Sequence, residues 1–142
     1  MWQSVSILFN SLIDGDTLQN LHNKIDNKSP TYFLIKADSD RIFGGYTTHS
    51  WNINNVQKSS DDKAFVFSVD NKKKYNIENP SEAIVERKGY IQFGCCCFRI
   101  MDKFNSSKNM ELDCNYETEF NSLCLSGKYN FKIINLEVYL VE

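Results

Sequence analysis

The sequence predicts a mainly β, α+β fold: two packed antiparallel sheets forming a sandwich, with one early amphipathic helix. Three observations carry that expectation. Short runs rich in Val, Ile, Phe and Tyr recur along the chain, separated by Asn-, Asp- and Gly-containing turn signals. One stretch alone, DTLQNLHNKID, has apolar residues at helical spacing. The 142 residues include ten Phe, seven Tyr and two Trp, enough apolar material for one sizeable core without a disulfide or a metal. No internal repeat or linker interrupts the pattern, so 1–142 reads as a single domain.

The helix comes first. Asp16 is placed to cap it, and Gln19 stands three residues on, where a capping-box partner belongs. Leu18, Leu21, His22 and Ile25 then follow the stripe of a helix packed on one face. Pro30 ends the segment by disfavouring helix in the residue before it. Strands are expected at 32–36, 42–48, 63–70, 82–86, 90–93, 96–101 and 129–141, and a turn at 71–73 leads into KYNI. In the 63–70 run, Phe65, Phe67 and Val69 share one face and Ala64 and Val66 the other. Phe65 and Phe67 are expected inside the sandwich.

The run IFGGYTTHSW is the most unusual of these. Gly44 and Gly45 stand inside an otherwise bulky strand, where glycine marks a bulge, a bend or a close approach. The expectation is a bend, with at least one of the two in a backbone conformation that other residues avoid. Tyr46 and Trp51 beside them could stack a base or sugar, but such aromatics usually belong to a sandwich core or its rim.

The formal net charge is −2, with both signs interspersed. That excludes a general nucleic-acid binder, which needs a concentrated basic face. It equally disfavours docking on anionic lipid. No signal peptide, spanning segment or lipidation signal is recognisable, so the expected location is cytoplasmic, without membrane insertion. Five cysteines in that setting are free thiols.

Catalytic equipment is sparse. Cys95, Cys96 and Cys97 are consecutive, and neighbours on a strand point to opposite faces, so the three cannot converge on one metal. They form a candidate thiol site, set against the reading of buried, inert cysteines. His22 and His49 are the two histidines, and nothing in the sequence pairs either with a nucleophile and an orienting carboxylate. Gly44-Gly45 has neither the spacing of a dinucleotide fingerprint nor the lysine of a P-loop. No catalytic residue, metal or cofactor is therefore expected. The residues alone lead to a binding or scaffolding module.

A resemblance sharpens this. Trp2, LFNSLIDGDTLQNLHNKIDNKSPTYFLIKADSDRIFGGYTTHSW, KAFVFSVDNKKKYNI, AIVERKGYIQFG and NFKIINLEVYLVE occur in that order. The series resembles the TLDc domain of the oxidation-resistance protein family. Its motif positions here are Trp2, Gly44, Gly45, Tyr46, Trp51, Phe65, Phe67, Phe93, Gly94 and Glu137. The chain departs from the family where Cys95-Cys96-Cys97 replaces a glycine-rich stretch, and it starts without the helical extension many members carry ahead of the tryptophan. The resemblance implies a two-sheet sandwich with short edge helices and no catalytic mechanism. It further implies a link to oxidative-stress resistance and a protein partner such as the peripheral catalytic sector of the vacuolar proton-pumping ATPase. Two alternatives stand beside that reading: an accessory subunit of a larger protist complex, and a thiol-based redox protein.

Overall fold

Side chains alternate across each strand, so each strand presents one face to the core and the other outward. The structure is a computed structural model that describes residues 4–77, 79–94, 97–106, 108–111 and 125–142. Strand β1 (Val5–Asn10) runs into a one-turn helix α1 (Ser11–Asp14), and α2 (Leu18–Ile25) follows. Next come β2 (Thr31–Ala37), β3 (Ile42–Thr47), β4 (Gln57–Ser59), β5 (Phe65–Ser68) and β6 (Lys73–Asn76). After a 3-10 turn at Pro80–Glu82 come β7 (Ile84–Arg87), β8 (Tyr90–Phe93) and β9 (Phe98–Met101). The remaining strands are β10 (Asn109–Glu111), β11 (Asn130–Phe131) and β12 (Ile133–Val141).

These strands form two six-stranded sheets, ordered β1-β12-β2-β3-β5-β6 and β11-β10-β9-β8-β7-β4. Every pairing is antiparallel. The expected two-sheet sandwich is the observed one. The first and last long strands pair with each other, so β12 closes the first sheet between β1 and β2.

A chain of aromatic rings fills the space between the sheets. Phe33 of the first sheet meets Phe93 of the second at 5.3 Å and Trp51 at 5.4 Å. Phe93 stacks on Phe98 at 5.0 Å, and Phe43 caps both Phe98 and Phe131 edge-on at 5.4 Å. Edge-to-face and offset rings are the arrangements their quadrupoles favour. Helix α2 closes one end with Leu18, Leu21, His22 and Ile25 buried, the stripe the sequence predicts. Its cap is Thr17, not Asp16: the Thr17 hydroxyl accepts the Asn20 amide at 3.2 Å. The Asp16 carbonyl instead accepts the Phe104 amide at 3.0 Å, which ties that residue to a distant loop.

Two expectations are corrected here. Phe65 and Phe67 do not face the opposite sheet. Val66 pairs with Gly45 and Ser68 with Phe43, so those residues face inward. Phe65 and Phe67 lie on the outer face of the first sheet, where Phe67 stacks on Tyr32 at 4.9 Å and Phe65 on Tyr46 at 5.2 Å. Phe67 is nonetheless only 8% exposed, because its ring lies over the bare backbone of Gly44, opposite it in the ladder. Val69, expected on the same face as these rings, is exposed.

The second correction concerns the glycines. Register runs without a shift through β2–β3 and β3–β5, so β3 has no bulge. Neither Gly44 nor Gly45 has a positive φ; the glycines that do are Gly15, Gly94 and Gly127. Close approach is what β3 requires. A Cβ on Gly44 would overlap the Phe33 carbonyl oxygen and sit 2.7 Å from Phe67 Cζ. A Cβ on Gly45 would lie 2.6 Å from Phe93 Cδ2. The pair therefore admits one ring on each face of the same strand.

Candidate functional site

The chain leaves β3 at Thr47, and the next nine residues form a corner joining the two sheets. Four of its polar side chains, Thr48, His49, Ser50 and Asn55, bond partners from elsewhere in the sequence. Asp61 accepts four bonds: from the Thr47 hydroxyl at 2.6 Å, the Thr48 amide at 2.7 Å, the Thr48 hydroxyl at 2.9 Å and the Lys63 amide at 3.0 Å. Burial pushes its carboxyl up, and these donors outweigh burial and hold it below the usual carboxylate range.

His49 Nε2 lies 2.7 Å from Glu86 Oε2. Glu86 sits on the inward face of β7 and is 1% exposed. It also accepts the Asn52 amide and the Asn55 side-chain amide, both at 3.0 Å. Burial raises its pKa, and the bonds from His49, Asn52 and Asn55 bring it below the ordinary value. Trp51 is fully buried beside the imidazole and donates Nε1–H to Thr31 Oγ1 at 3.0 Å. The second histidine has a carboxylate too: His22 Nδ1 is 2.6 Å from Asp26 Oδ1. Asp26 Oδ2 in turn accepts the Ile53 amide at 2.8 Å.

Both histidines thus have carboxylate partners: His22–Asp26 is a local i,i+4 pair at the end of α2, whereas His49–Glu86 joins residues 37 positions apart and depends on how the chain folds back. Neither has a nucleophile in hydrogen-bond contact among the described residues. The nearby Ser50 hydroxyl bonds Ser29 instead, at 3.1 Å. What the arrangement does chemically is pin a loop with buried charge.

Acid is expected to unpick it. A carboxylate with a depressed folded-state pKa contributes stability above its unfolded pKa, about 4, and loses it as pH falls through the folded value. Asp61 and Glu86 both act in that direction. Asp61→Asn places an amide donor against donors, so it should cost about 1–3 kcal/mol at pH 7 and flatten the acid limb of a urea-denaturation series. An unchanged acid limb would remove Asp61 from this role. Glu111, on the inward face of β10, acts oppositely. Burial raises its pKa despite bonds from Leu125, Ser126 and Gly127.

The remaining motif residues are scattered. Phe93 is central in the core, and Gly94, at φ +71°, turns the chain after β8. Cys97 packs back on that turn rather than lying in a strand, and a Cβ on Gly94 would meet its Sγ at 2.5 Å. Glu137 is on the outer face of β12 and accepts the Tyr139 hydroxyl at 2.9 Å. Tyr46, Phe65 and Phe67 share the outer face of the first sheet. Trp2, Cys95, Cys96, Cys114 and Cys124 lie outside the described residues. No cluster of three or more His, Cys, Asp or Glu suited to a metal occurs among the described residues. No helix among them is long and apolar enough to cross a membrane.

Beside the corner opens a cleft of 570 Å³. Its walls are the first turn of α2, His22, Ile53 and Asn54 of the corner, and the β7–β8 turn at Arg87 and Lys88.

The chain is 36% identical over 63 residues to MTOR-associated protein MEAK7 of Gallus gallus, covering 44% of this chain and 13% of that protein. The corresponding proteins of Danio rerio and Xenopus laevis match at 32% and 30% over stretches of the same length, 14% of each. The matched stretch is thus a small part of these relatives. The family model for the TLDc domain matches residues 2–142, and with nearly its whole length covered the chain belongs to the TLDc domain family.

Proposed function

We propose that this chain is a non-catalytic protein-interaction module that works in the cytoplasm as part of a large assembly. The peripheral catalytic sector of the vacuolar proton-pumping ATPase is the partner favoured by family kinship, with oxidative-stress resistance as the physiological outcome. One observation carries the interaction reading. Leu12 and Ile13 of α1 are 69% and 81% exposed, beside Val5 and Ile7, each 51% exposed, on an edge strand. Large apolar side chains grouped at a sheet edge mark a surface that another protein covers. The name of the MEAK7 relatives, which calls them MTOR-associated, fits a module that works by association.

The test is affinity capture of the tagged chain from native lysate, with mass spectrometry. Peripheral ATPase subunits should co-purify, release with a change of nucleotide state, and be lost in Leu12→Glu/Ile13→Glu. Recovery of the chain alone would reject the module reading. A partner that stays bound in every nucleotide state would favour an accessory subunit instead.

A thiol enzyme needs an exposed thiolate. Cys97 is 2% exposed, so it should react with a thiol reagent at neutral pH only after unfolding. Rapid native labelling of Cys97, with peroxide turnover that disappears in Cys97→Ser, would replace the interaction reading with a redox one.

A further inference from the structure

We infer that the cleft between the start of α2 and the β7–β8 turn is a docking site for an acidic peptide segment of a partner protein. This rests on the interaction-module reading and assigns it a second, chemically specific contact, away from the apolar edge at α1.

The cleft has a cationic wall, Arg87 and Lys88. Neither Arg87 nor Lys88 forms an ion pair among the described residues. Arg87 donates Nη1–H to the Glu86 carbonyl at 2.9 Å. That bond steadies the guanidinium and leaves most of its five donors for a ligand. Glu86 is itself clamped by the corner, so the base of the arginine is set by a buried network. A planar fork beside a mobile ammonium suits a carboxylate, which the fork can bind through two parallel bonds.

The opposite wall adds an independent sign of a ligand. His22 is 5% exposed, and its Nδ1 is committed to Asp26. Its other ring nitrogen has no hydrogen-bond partner among the described residues. Among the described residues no buried side-chain nitrogen or oxygen lacks a partner, so this nitrogen keeps solvent access, and His22 lines the cleft. A polar atom of a mostly buried side chain that lines a cleft without an internal partner is available to a visiting group.

The acid in the wall, Asp102, is already engaged. Its Oδ1 accepts the Leu18 amide at 2.9 Å at the amino end of α2. Leu18 and the half-exposed Ile53 supply the apolar part of the lining. The combination selects among anions. A phosphate-rich polymer would gain nothing from Leu18 and Ile53. A peptide alternating acidic and apolar side chains uses both walls.

The experiment titrates the full ¹⁵N-labelled chain with acetyl-Glu-Leu-Glu-Leu-Glu-amide and with its Gln-for-Glu counterpart. The expected result is amide shifts at Gln19, His22, Asn54 and Lys88 with the Glu peptide alone. Affinity should fall about tenfold or more in Arg87→Gln/Lys88→Gln, as expected when charge-assisted bonds worth ~1.4 kcal/mol or more are lost. Lys88→Gln alone, at an exposed turn, should give a partial loss at an unchanged melting temperature. Equal binding of the Gln peptide, shifts that map elsewhere, unchanged affinity in both variants, or inorganic phosphate producing the same shifts at lower concentration would each overturn the inference. Lysate capture that succeeds while the peptide fails would defeat this site and leave the module reading standing. The reverse outcome would do the opposite.

Discussion

Phe93→Ala is expected to lower the unfolding free energy by about 3–5 kcal/mol, the range for truncating a large buried ring. Phe93 contacts Phe33, Trp51 and Phe98 at centroid separations of 5.0–5.7 Å, and it also fills the space above Gly45. Its loss opens a cavity that rigid neighbours in two sheets cannot close, so the cavity cost adds to the transfer cost. Urea denaturation monitored by tryptophan fluorescence measures this, since Trp51 reports directly on the cluster. Trp51→Phe should cost less, because it keeps an aromatic ring and forfeits chiefly the bond to Thr31. A loss below about 1 kcal/mol for Phe93→Ala would mean that the two sheets do not depend on this contact.

Much of this arrangement was legible in the sequence, and the illegible part has a common cause. Strand β8 was bounded correctly at 90–93, because its alternation is clean and a turn signal stands on each side. The stripe of α2 was equally clear. Its cap lies one residue beyond Asp16, at Thr17; both are good capping types, and the Asp16 carbonyl is held instead by the Phe104 amide, 88 positions away. Strands β4 and β10 are three residues each, too short for alternation to register.

Phe65 and Phe67 show the sharper limit. Alternation correctly puts them on one face of β5, but it does not say which face meets the other sheet. Two phenylalanines outweigh Val66 and Ser68 in any hydrophobic count, yet the register with Phe43 and Gly45 places the smaller pair inward. The corner was illegible for the same reason. His49, Asp61 and Glu86 are unremarkable singly, and their meaning lies in bonds between residues that are 13 to 37 positions apart. Arg87 and Lys88 carry no signal of their own in the sequence; the fold sets them opposite α2.

Gly44→Ala should be the most damaging small substitution on the first sheet, at about 3 kcal/mol or more, the upper end of overpacking costs. The added methyl meets the carbonyl oxygen of Phe33, which is backbone of the neighbouring strand, and no rotamer change can move it. Relief requires β2 and β3 to part, and both are held in ladders on their other sides by β12 and β5. Gly45→Ala should cost less, about 1–3 kcal/mol, because its methyl meets a side chain, the Phe93 ring, at 2.6 Å. Background substitutions separate the two cases. Phe93→Leu should recover part of the Gly45→Ala loss by giving the methyl room. Phe67→Ala should leave most of the Gly44→Ala loss in place, since the Phe33 carbonyl remains. Gly89→Ala is the control, because nothing lies within 4 Å of a Cβ there and its effect should stay within about 0.5 kcal/mol. If Gly44→Ala behaved like that control, β3 would not need its two glycines for close packing, and the flat strand with a phenylalanine seated on each face would lose its explanation.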